Sequence, residues 1–223
     1  MIKRQLLNFA QLSMCAYRDA GWEELGYKLH YKIDKSGVQA YIFQSGNIVV
    51  VAFRGSDEKQ DWINDAKATF IHTSYGRMHK GFKKLWDKVS RELQDNIPSG
   101  TLVYFTGHSL GGALALISSI YILHNQVITF GCPMVLEKNN PKHLQSYHIR
   151  VVNNNDLITR LPSKALGYGH IGMLYYLSYS GGLLNSVKWI DRVKSHLKAW
   201  SKGQFFDGMY DHDLNLYIKK LSK

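Results

Sequence analysis

The chain has 223 residues, of which 45% are hydrophobic and 20% charged; this fits a single folded domain with a sizeable core and argues against disorder. A formal net charge of +11 favours anionic partners, either nucleic acid or a membrane surface carrying anionic lipid. The basic residues are scattered, however, and no RNA- or DNA-binding signature accompanies them, so no nucleic-acid partner is expected.

At the start of the chain, Leu6, Leu7, Ala10, Met14 and Tyr17 recur at helical spacing and predict an amphipathic helix over 3–17. The same stretch opens with two basic residues, but Asn8, Gln11 and Ser13 break its apolar run. It does not read as a signal peptide, and no run in the chain is long enough to span a bilayer. An intracellular protein is the expectation unless a leader has been removed. Strand-like runs at 38–44 and 47–53 flank Ser45-Gly46 and predict a hairpin. A helix over 79–96 would place Phe82, Leu85, Trp86, Val89 and Leu93 on one face and stop at Pro98-Ser99-Gly100.

From there strands and helices alternate. Strands are predicted at 101–106, 126–130, 148–152 and 171–177, with helices at 112–124 and around 136–145. Two terminal helices follow at 185–202 and 212–222. Such alternation predicts an α/β fold, a mostly parallel central sheet with helices on both faces and an antiparallel hairpin at its start. No linker or repeat divides the chain, so 1–223 reads as one domain. Cys15 and Cys132 form no metal-binding spacing and no disulfide framework; both read as buried thiols.

The stretch FTGHSLGGALAL carries the chemistry. Its Gly107-His108-Ser109-Leu110-Gly111 sits where TLVYFT, a strand, gives way to ALALISSIYIL, a helix. A serine hydroxyl needs a base to become a nucleophile. At a sharp strand-to-helix turn the flanking glycines allow close approach, and the first helical amides face developing negative charge. The base and acid must then come later. His170, His196 and His212 compete for the first role, with His212 favoured because it sits in a turn before the last helix. Asp156, just past a strand end in HIRVVNNND, competes for the second with Asp191, Asp207, Asp211 and Asp213; Asp211 and Asp213 read as local caps. An oxyanion hole needs two donors. The Leu110 amide and Ser56, in VVVAFRGSD, are the candidates.

These segments together resemble the class 3, or fungal-type, lipases of the α/β-hydrolase superfamily. The matching stretches are VVVAFRGS, DWINDA, HKGF, TGHSLGGALA, TFGCPMV, RVVNNNDLITRLP and DHDLNLY, in that order from about residue 38 onward. The chain departs from the usual pattern near Met134-Val135. The resemblance implies an α/β-hydrolase fold with Ser109 as nucleophile, Asp156 as acid, His212 as base, and Ser56 and Leu110 as oxyanion donors. It implies a lipid acyl ester as substrate, acylglycerol or, alternatively, phospholipid as in a phospholipase A1, with no metal or organic cofactor. A non-catalytic lipid-binding protein of the same fold is the alternative in another class. In many relatives a lid follows the FRGS motif; here Asp61, Trp62, Ile63, Asp65, Ala66 and Phe70 fall in that place, as a moving amphipathic lid or a fixed helix. A basic segment, 185–203, with Trp200 among alternating lysines, suits either peripheral contact with an anionic membrane or a cover for the sheet.

Overall fold

The computed structural model describes residues 2–56, 69–139, 147–185 and 208–223. Helix α1 (Ile2–Arg18) leads into three antiparallel strands, β1 (Lys28–Lys35), β2 (Val38–Ser45) and β3 (Ile48–Phe53). A small hairpin, β4 (Phe70–Thr73) and β5 (Gly76–His79), is followed by α2 (Lys80–Asp87) and α3 (Ser90–Asn96). Then come β6 (Leu102–His108), α4 (Leu110–Tyr121), β7 (Gln126–Phe130), the short β8 (Leu136–Glu137) and β9 (His148–Asn153). The short β10 (Tyr168–Gly169), β11 (Met173–Leu177), β12 (Leu183–Leu184) and the last helix, α5 (Leu214–Leu221), complete the order.

Among the described residues eight strands form the main sheet in the order β1-β2-β3-β6-β7-β9-β11-β12, and the five from β3 to β11 run parallel to one another. Both faces are covered. Strand side chains alternate between faces, so Val49, Val51 and Phe53 pack with α2, α3 and α4 residues such as Phe82, Trp86 and Leu114. Val50 and Ala52 pack on the other side with Leu6, Phe9 and Leu12 of α1 and with Leu214, Tyr217 and Leu221 of α5. This is the α/β-hydrolase arrangement expected, with the antiparallel hairpin at its start.

Several elements depart from expectation. Strand β1 was not foreseen, because its edge position lets it carry Lys28, Lys32, Asp34 and Lys35 in place of an apolar pattern. The helix expected over 79–96 is two, because Val89 leaves helical geometry (φ −120°, ψ −8°) between them and is itself buried. The helix expected from 136 begins instead as β8, which pairs with β10 and with Met78 in a second sheet, β10-β8-β5-β4. Phe70, grouped above with a helical lid face, starts β4, and its ring stacks on Tyr168 at 4.1 Å between centroids. The rest of the lid segment (Asp61, Trp62, Ile63, Asp65 and Ala66) and all but the first residue of the basic helix expected at 185–202 lie outside the described residues. Both cysteines are free and buried; burial pushes the Cys15 thiol up to about 11 and that of Cys132 to about 12, so both stay neutral packing groups.

Candidate active site

The Ser109 turn is built by two close approaches. A Cβ on Gly107 would lie 2.4 Å from the Gly111 carbonyl, and one on Gly111 only 2.2 Å from the Phe53 carbonyl oxygen. Any side chain at either place would force β6, α4 and β3 apart. Ser109 itself adopts φ 57°, ψ −127°, a left-handed geometry rarely taken by a residue with a side chain. Its amide donates to the Phe130 carbonyl at 3.0 Å, tying the turn to the end of β7. Leu110 opens α4, so its amide has no acceptor within the helix and lies at the positive end of the helix dipole.

The structure brings Asp156 and His212 together. His212 Nδ1 lies 3.0 and 2.9 Å from the two carboxylate oxygens of Asp156, and both residues are buried. Asp156 follows the end of β9, where the Ile158 amide donates to Oδ1 at 3.0 Å. Gly131 (φ 56°), directly after β7, lies against this pair: a Cβ there would meet Asp156 Oδ2 at 2.8 Å and the His212 ring at 2.9 Å. With Nδ1 engaged, His212 presents Nε2. That atom and Ser109 Oγ are both buried and neither makes a hydrogen bond among the described residues.

Two supports were not legible in the sequence. The Tyr217 hydroxyl, on α5, donates to Asp156 Oδ2 at 2.5 Å. Burial and then the neighbouring carboxylate raise the Tyr217 phenol well above its ordinary value, which keeps it a donor. His108, the variable position of the motif, donates from Nε2 to the His212 carbonyl at 2.7 Å, which leaves Nδ1 to accept from the Tyr17 hydroxyl at 3.0 Å. Its ring lies 4.4 Å from that of His212. Tyr17 also fills the space beside Gly55, where a Cβ would sit 2.0 Å from its hydroxyl.

The competing candidates fall elsewhere. His170 donates to the Thr159 carbonyl at 2.6 Å. Asp213 caps α5 by accepting from the Asn215 amide, as expected. Asp211 differs from the local cap expected: its carboxylate accepts from Asn154, 57 positions earlier. His196, Asp191 and Asp207 lie outside the described residues. Ser56 follows β3 after Arg54 and Gly55, and with Leu110 and Leu114 it lines a cavity of about 290 Å3. A larger cavity of about 590 Å3 is lined by Leu102 and His124 at the opposite end of β6 from Ser109, and takes no part in the site. No group of His, Cys, Asp and Glu able to hold a metal occurs among the described residues.

Residues 50–166 match the family profile described as "Lipase (class 3)". The chain is 30% identical over 157 residues to a lipase of Rhizomucor miehei, covering 60% of this chain and 43% of that protein. It is 27% identical over 178 residues to secreted mono- and diacylglycerol lipase 1 of Fusarium solani, covering 72% and 53% respectively. The chain thus spans about half the length of the curated relatives it matches. A solved structure of Rhizomucor miehei triacylglyceride lipase superposes with a TM-score of 0.72 at 21% identity, over 94% of this chain and 92% of that one. With the profile spanning just over half of its length, the chain belongs to the class 3 lipase family.

Proposed function

We propose that the protein is a serine carboxylester hydrolase that cleaves acyl esters of lipids, acylglycerols foremost. The observation that carries the reading is the buried Asp156–His212 pair, with Nε2 of the imidazole and Oγ of Ser109 both left without a hydrogen bond among the described residues. The Fusarium solani relative, named as a mono- and diacylglycerol lipase, supports the substrate class.

In this reading Ser109 Oγ attacks the ester carbonyl carbon while His212 Nε2 takes its proton. Asp156 stays ionised, holds the ring through Nδ1 and stabilises the imidazolium. The carbonyl oxygen becomes an oxyanion facing the Leu110 amide at the helix N-terminus and Ser56, whose amide and hydroxyl both can donate. Collapse of this intermediate expels the alcohol, which receives the proton from His212, and leaves the acyl group on Ser109. Water then attacks the acyl-enzyme as His212 takes its proton; the second collapse returns that proton to Ser109 and releases the fatty acid. Each oxyanion donor is worth about 100- to 1,000-fold in rate.

The test is hydrolysis of p-nitrophenyl esters of graded chain length, followed by mono-, di- and triacylglycerols and phosphatidylcholine. Wild-type protein turns over the medium and long acyl esters, and Ser109→Ala loses this activity by about 1,000-fold or more. Wild-type rates from Ser109→Ala would refute the mechanism; release of fatty acid from phosphatidylcholine alone would replace acylglycerol with phospholipid as substrate.

A further inference from the structure

The loops that carry His212 and Asp156 are stapled to one another by bonds separate from the Asp156–His212 contact. The Asp211 carboxylate Oδ2 accepts from Asn154 Nδ2 at 2.7 Å and from the Asn155 amide at 3.1 Å. Its own carbonyl accepts from Asn153 Nδ2 at 2.8 Å. Asp211 and all three asparagines are buried.

The donors are aimed by their surroundings. Lys220 Nζ donates to Asn153 Oδ1 at 2.6 Å, which fixes that amide with its Nδ2 toward the Asp211 carbonyl. The Tyr176 hydroxyl, on β11, donates to Asn154 Oδ1 at 3.4 Å and turns Nδ2 toward the Asp211 carboxylate. The Asn154 amide is held by the Leu177 carbonyl at 2.8 Å, and its left-handed backbone (φ 43°) suits asparagine. So β9 and β11 together define where the acid loop ends, and Asp211 transfers that definition to the residue next to the base.

We propose that Asp211 is a positioning residue of the hydrolase: by clamping the Asp211–His212 turn onto Asn153–Asn155 it fixes the imidazole between Asp156 and Ser109. This rests on the hydrolase reading given above. An acceptor is needed here because the two groups that meet Oδ2 are donors, one of them a backbone amide that cannot reorient. An asparagine can keep its oxygen at the Oδ2 place and accept both bonds, more weakly without the charge, whereas an alanine leaves both donors unmet.

The experiment compares steady-state kinetics on a soluble p-nitrophenyl ester with thermal melting, for wild type, Asp211→Ala and Asp211→Asn. Asp211→Ala removes the acceptor, and Asp211→Asn restores an oxygen at the same place. Asp211→Ala is expected to lower kcat on the order of 100-fold, the cost of a misplaced base, with KM within about twofold of wild type, the signature of an interaction used in the chemical step. Asp211→Asn recovers at least tenfold of that loss. Should Asp211→Ala yield no folded protein, Asn154→Gly serves, because glycine keeps the left-handed backbone while removing the Nδ2 donor to Asp211 together with the Oδ1 that accepts from Tyr176; a lower kcat at constant KM supports the clamp.

A folded Asp211→Ala with kcat within about threefold of wild type would overturn the proposal, as would a folded Asp211→Asn with no recovery over Asp211→Ala or an unchanged kcat in Asn154→Gly. These outcomes are distinct from failure of the hydrolase reading, which would appear as persistent activity in Ser109→Ala.

Discussion

At the scale of single residues, the site separates into groups whose spacing announces them and groups that only the fold brings near. Ser109 is legible because its neighbours have a steric reason to be glycine: Gly107 and Gly111 stand where no Cβ fits. Asp156 and His212 are legible as candidates by their order and by their place past a strand end and before a helix. Tyr217 was not, since its partner lies 61 positions earlier and a helical tyrosine beside Leu214 and Leu221 reads as core. The same holds for Tyr17 with His108, 91 positions apart, and for Asp211, whose neighbours in sequence suggest a cap. Tyr217→Phe tests the hidden support most simply. It deletes one buried hydrogen bond to a carboxylate, so chemical denaturation should report a loss of about 2 kcal/mol. The His212 contact to Asp156 remains, and kcat/KM should fall by no more than about tenfold. Unchanged stability would show that this hydroxyl contributes nothing to holding Asp156.

At the scale of elements, strands buried on both faces are the readable ones. IVVVAF is a continuous apolar run, and QVITF carries Val127, Ile128 and Phe130, because each contributes to two core layers. Strand β1 hides behind its charges at the sheet edge, and β8 and β10, two residues each, are too short to leave any periodicity. His148, at the head of β9, shows how a polar residue inside such a strand couples the sheet to pH. It is buried, bonded through Nε2 to Thr129 Oγ1 at 2.9 Å, and packed against Gly172. Burial, then the Arg150 and His170 charges, pushes its pKa down to about 3 from the ordinary 6.5. Between those values the unfolded chain holds a proton that the folded chain refuses. This contribution to stability is therefore complete above about pH 6.5 and is lost as pH falls toward 3, by up to about 1.4 kcal/mol per pH unit. Denaturation curves from pH 7 to 4 should show this slope in wild type and a slope shallower by about one proton in His148→Asn. Equal slopes would remove His148 from the account of acid sensitivity.

At the scale of the whole molecule, the parallel run from β3 to β11 gathers the residues of the candidate site at one end. Ser109 follows β6, Asp156 follows β9, Ser56 follows β3, and Gly131 follows β7, all at carboxyl ends of parallel strands. The alternation of strands and helices made that end predictable, while the second sheet and the Asn153–Asp211 clamp depend on contacts between segments far apart in sequence. Among the described residues no helix is long and apolar enough to cross a membrane. The central claim is that Ser109, set in a strained turn beside the Asp156–His212 pair, is an activated nucleophile. A fluorophosphonate tests it directly, because such a serine displaces fluoride from phosphorus and keeps the phosphonyl group. Intact mass followed by peptide mapping should find one adduct per chain, on Ser109, absent from Ser109→Ala. A folded wild-type protein left unmodified, or an adduct that persists in Ser109→Ala, would contradict it.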